Sequence, residues 1–196
     1  MDELIGRIGK AKAAIDYGFS RVGPQLRADH EVEGSLLRLA NRMLRLSNAA
    51  VLLCKNNHSN EAAPLLCFLL ETAWTMRWIA TPLNKGKKIS ELEAQFIGVP
   101  WGNLGADPRC KNLMVSTGVS AKDFDAAQTI LSGQLEAYRG ANGATIPWAH
   151  VFPEDKGAAT SPESILGFVV TSMVHALNAL DLFWPGVFPT PGDKAC

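Results

Sequence analysis

Residues 62–80 read AAPLLCFLLETAWTMRWIA, and how that stretch is buried decides the fold. Apolar side chains fall on nearly every side of a 3.6-residue turn, which suits the central helix of a bundle better than a surface helix with one greasy stripe. Pro64 stands where a first helical turn needs no internal N–H partner, so it opens the helix rather than breaking it. Ser59 or Asn60 is placed to cap it, Glu61 sits at its positive end, and Pro82 closes it. The predicted helix covers 59–81. Glu71 and Arg77 at mid-span would be costly in lipid, so a soluble core is expected rather than a membrane span. His175, Asn178 and Asp181 carry the same message for the apolar run 165–184.

Working toward the N-terminus, NNHSN at 56–60 is a short polar connection suited to an antiparallel helical hairpin. The helix before it is predicted over 31–55. Leu36, Leu37, Leu39, Ala40, Met43, Leu44 and Leu46 form its apolar face, while Arg38, Asn41, Arg42, Arg45 and Asn48 gather in an arc of roughly 120°. An earlier helix over 3–19 carries Leu4, Ile8 and Ile15 at helical spacing, weakened by Gly6, Gly9 and Gly18, and Gly23-Pro24 breaks the chain.

Toward the C-terminus, 82–119 and 140–160 read as long loops. Between them Ser120 and Asp123 have capping-box spacing and open a helix over 120–139. Ser161-Pro162-Glu163-Ser164 combines a capping serine, a first-turn proline and an early acid, and starts a last helix that runs to Phe183. Trp184-Pro185-Gly186 stops it, and 187–196 is expected to be an extended or frayed tail. The fold class is therefore all-α: one domain over 1–196, an antiparallel helical bundle of four to five main helices with two long loops.

Lysine plus arginine and aspartate plus glutamate number 19 each, so the chain has no basic surplus of the kind that drives phosphate binding. Nucleic acid is accordingly not the expected partner. The first residues contain no apolar run ending in a small-residue cleavage site, so cytoplasmic residence is expected. Cys54, Cys67, Cys110 and Cys196 form no CxxC pair and read as free thiols. Cys54 and His58, four apart, lack the further ligands a structural zinc requires, and neither metal nor cofactor is expected.

Four features could carry chemistry. Arg38, Arg42 and Arg45 fall at i, i+4 and i+7; they read either as a solvated face or as a grip for phosphate or carboxylate. Glu71 lies in so apolar a helix that it must be paired, protonated or facing a cavity, and it shares a side with Trp78 but not with Arg77. Thr171, His175 and Asn178 line one side of the last helix, where they could orient an acid–base histidine or bond to neighbouring helices. Trp148 and His150, in the loop IPWAHVFPEDKG, form a candidate ligand contact. A ligand pocket would combine Glu71 with Trp148 and His150, and His175 is a further candidate. No Walker A, GxGxxG, HExxH, GxSxG or EF-hand pattern is present.

On three passages, residues 39–80 resemble the central hairpin of DUF5677, a bacterial helical family of unknown function. These are the apolar second helix, the turn NNHSNEA and the run PLLCFLLETAW. Glu61-Ala62 and Glu71 match its loose pattern, and Cys67 stands where an arginine is expected. More distantly the stretch is similar to HEPN bundles, which include toxin ribonucleases and nucleotide-binding modules. The ribonuclease members of that group carry an arginine followed by a histidine after four to six intervening residues, a pairing this sequence lacks. Here Arg21 and His30 enclose eight residues, Arg139 and His150 ten, and Arg45 and His58 twelve.

Taken together, the expected function is a non-catalytic binding or interaction module, self-associating as a homodimer through an apolar helical face, with a small-molecule or protein ligand. The alternative is an RNA- or nucleotide-directed enzyme, holding phosphates on the arginine stripe and moving protons through His150 or His175.

Overall fold

Local signals set where each helix begins and ends. The computed structural model describes residues 1–26, 31–81 and 161–188, together with positions 115, 121, 122, 125 and 129. The described helices are α1 (Asp2–Val22), α2 (Glu31–Lys55), α3 (Ser59–Ala80) and α4 (Pro162–Phe183), with a 3-10 turn at Gly23–Gln25. The all-α expectation is met. The helix expected over 120–139 falls outside the described residues except at 121, 122, 125 and 129, which are helical.

The α2–α3 turn works through its backbone. Asn57 adopts φ +62°, the left-handed conformation that asparagine tolerates better than most residues. His58 N–H then bonds to Leu53 C=O at 2.8 Å and Asn57 N–H to Cys54 C=O at 3.2 Å, the paired bonds of a Schellman end. The cap of α3 departs from expectation. His58 occupies the cap position without a side-chain hydrogen bond, and the Ser59 hydroxyl is bonded to the Cys54 thiol. Burial pushes that thiol up from its ordinary value, the Ser59 bond opposes this, and the Glu163 carboxylate adds to it. At the start of α4 the serine signal operates as read: Ser161 Oγ accepts from the Ser164 N–H at 3.1 Å.

Contacts at the two ends fix the helix directions. The N-terminal ammonium of α1 lies 3.7 Å from Glu163, and Phe19 near its other end meets Trp184 at 6.1 Å, so α1 and α4 run side by side in one direction. Glu163 also acts on Cys54 at the end of α2, which therefore runs against α4. Since α2 and α3 form a hairpin, α3 runs with α4.

The core draws on all four helices: Ile8 and Ile15, Leu36 and Met43, Leu66, Leu69 and Trp74, and Val169, Met173 and Leu177 are buried together. One side chain from beyond the last helix joins them. Phe188, expected in a frayed tail, is only 1% exposed. Its ring lies on α1 where Gly18 carries no side chain, and any Cβ there would collide with it. Phe19, Trp184 and Phe188 form an aromatic cluster with centroids 5.2–6.1 Å apart, so residues 187 and 188 belong to the fold.

Candidate functional site

The predicted arginine stripe and the predicted half-stranded glutamate meet along the seam between α2 and α3. Arg38, Arg42 and Arg45 are all exposed. Over seven residues of α2 they span about 10.5 Å along the axis. The hairpin brings α3 past them in the opposite direction, and the Arg42 guanidinium carbon lies 5.7 Å from the centre of the Phe68 ring. A cation over an aromatic face is held by the ring quadrupole while its N–H edge stays available.

Phe68 is 44% exposed, although its neighbours Leu66, Leu69 and Leu70 are buried. Apolar composition all round the helix predicts burial all round, yet Phe68 points opposite to the buried face. Its service is to Arg42. Phe68 could have been found only by combining its angle on α3 with the arginine arc on α2.

Glu71, one turn along, is half-buried. Burial pushes its carboxyl above the ordinary range, and the Arg42 guanidinium pulls it partway back. The side chain is therefore neither free in bulk water nor sealed away; it forms the inner wall beside Arg42. Thr72 and Thr75 turn their hydroxyls back onto α3, donating to Phe68 C=O at 2.6 Å and Glu71 C=O at 2.8 Å, which removes them as competitors for the seam. On α2, Arg38 donates to Ser35 Oγ at 2.8 Å.

The other predicted contacts belong to α4 or lie outside the described residues. His175 is partly buried in the middle of α4, whereas the charged group acting on Glu71 is Arg42. Thr171, on the His175 side of α4, donates to Gly167 C=O at 3.1 Å. Trp148 and His150 lie outside the described residues, and so does their proposed meeting with Glu71. Arg77 is partly buried and Trp78 fully so. Among the described residues, no group of three histidine, cysteine or acidic side chains is placed to hold a metal ion.

A hollow of about 280 Å³ lined by described residues lies elsewhere, between the C-terminal ends of α1 and α4, with Arg21, Phe183 and Trp184 in its wall. Glu71 does not line it. In sequence these residues carry no functional signal, since Trp184-Pro185-Gly186 reads as a stop signal alone. Chemically, the seam offers three cations in a row, the middle one positioned, with an apolar ring beside it. No protein-family model, curated protein or solved structure matches the chain, so its function is argued from that geometry.

Proposed function

We propose that the chain is a non-catalytic binding module that receives an acidic segment of a partner protein along the α2–α3 seam. The observation that carries this reading is the Arg42 guanidinium set over Phe68 and beside Glu71, with exposed Arg38 and Arg45 on either side. Holding the central arginine in advance reduces the side-chain entropy lost on binding. Arginines at i, i+4 and i+7 match the axial rise of carboxylates spaced the same way on a partner helix, and Phe68 supplies an apolar anchor next to them.

Charge favours a peptide over a polyphosphate. Nineteen cations balance 19 anions over the whole chain, and Glu61 is exposed on α3 while Glu71 borders the stripe itself. A nucleic acid would meet those carboxylates as it continued past three phosphates, whereas a short acidic segment need not. A second copy of this chain suits the seam less well, because a two-fold axis through the stripe would set arginine against arginine.

Fluorescence anisotropy with a labelled amphipathic helical peptide, carrying glutamates at i, i+4 and i+7 and a leucine row, tests the reading. Binding should weaken tenfold or more in R38E/R45E and persist in a control reversal of Lys10 on α1. Equal binding by R38E/R45E, or tighter binding of an oligouridine than of the peptide, would refute it.

A further inference from the structure

From the hollow at the end of the bundle we infer a second binding site, one for a small amphipathic anion with an aromatic or aliphatic body. It lies between Arg21, Val22 and Gln25 on one side and Phe183, Trp184 and Val187 on the other. Its volume of about 280 Å³ equals roughly nine waters at ~30 Å³ each. That is room for a single ring with a short acidic arm, not for a nucleotide or a peptide.

The wall is built rather than incidental. Trp184 stacks edge-on with Phe183 at 4.6 Å and with Phe19 at 6.1 Å, and tilts against Phe188 at 5.7 Å. Phe188 is in turn seated on Gly18. The loop that carries Val187 is tied down by the Gly186 N–H donating to Asp181 Oδ1 at 2.9 Å. These contacts hold the indole before any ligand arrives, which is what a small-molecule pocket requires.

Polarity sets the ligand's charge. Arg21, exposed in the last turn of α1, lies with its guanidinium carbon 5.8 Å from the Tyr17 ring centre and lines the hollow, where a guanidinium can bridge a carboxylate through two N–H groups. Gln25 adds an amide at the same rim. The ends of α1 and α4 present backbone carbonyls here, which favour a cation. Among the described lining residues Arg21 is the charged one, so an incoming carboxylate has its partner at the rim, clear of the helix ends, and its apolar body meets an aromatic floor. A ring lying on Trp184 with its carboxylate on Arg21 satisfies both.

The probes are phenylacetate, its neutral analogue phenylacetamide, and phenethylammonium, titrated into the full chain while the tryptophan indole N–H signals are followed by NMR, with W184F giving the assignment. Phenylacetate should shift the Trp184 signal saturably below about 10 mM. R21A should weaken it about tenfold, V187W should abolish it by filling the hollow, and R38E/R45E should leave it unchanged. A Trp184 signal that does not saturate, an R21A protein that binds as the wild type does, or phenethylammonium binding as tightly as phenylacetate would each overturn the proposal. Retention of the remaining indole signals in R21A and V187W establishes that the variants are folded.

Discussion

Replacing Gly18 by alanine should destabilise this protein, against the ordinary preference of a helix interior. Alanine in place of glycine stabilises a helix by about 0.8–1.0 kcal/mol where space allows. At Gly18 the new methyl would fall inside the Phe188 ring, and Phe188 is 1% exposed, so the ring must leave. Exposing a phenylalanine costs about 1.5–3 kcal/mol, and its ring contacts with Phe19 and Trp184 are worth about 0.5–1.5 kcal/mol each. Setting the helix gain against these losses leaves a net destabilisation of roughly 1.5–5 kcal/mol, or a Tm lowered by at least about 3 °C at ~2–4 °C per kcal/mol for a domain of this size. Gly9 on the same helix is exposed and has no atom within 4 Å of its would-be Cβ. There alanine should raise Tm. In F188A the sign at position 18 should reverse, since the obstacle is gone, and a double-mutant cycle by thermal and urea unfolding isolates that coupling. If G18A raised Tm as much as G9A, Phe188 would not be packed on α1.

Two further outcomes follow from buried polar groups. Burial raises the Glu71 carboxyl, so the folded protein holds that proton more tightly than the unfolded chain does; its stabilising contribution is full below about pH 4.5 and is lost as pH rises through the folded value. E71Q should therefore gain on the wild type between pH 4 and 7, by less than about 1 kcal/mol given partial exposure and the opposing Arg42; urea melts in which the wild type gained on E71Q with rising pH would contradict this. Ser172 is fully buried, and its hydroxyl has no hydrogen-bond partner among the described residues. S172A should be neutral or stabilising by up to about 1 kcal/mol, and a loss of that size would reveal a bonded hydroxyl.

Periodicity carried most of the fold because the helices obey local rules. The bounds of α2 and α4 were legible from the hairpin turn and the Ser161-Pro162 start, both of which involve residues adjacent in sequence. The failures all involve a partner on a different element of the fold. Ser59 reads as a cap until Cys54 takes its hydroxyl. Gly18 reads as a weak spot in α1 until Phe188, 170 residues later, fills the gap it leaves. Phe68 reads as core until Arg42 gives it a surface role. For the seam, the arginine arc and the isolated Glu71 were each visible alone, since both are one-helix patterns. Their meeting depends on the hairpin register, which no single-helix period encodes.

Arginine side-chain NMR during titration with the acidic helical peptide addresses the binding surface most directly, because it reports each guanidinium separately. The Nε–H signals of Arg38, Arg42 and Arg45 should shift together with the Phe68 ring protons, while those of Arg7 and Arg21 on α1 stay in place. Saturable shifts confined to other arginines, with the α2 stripe silent, would show that the seam is not where an anionic partner docks.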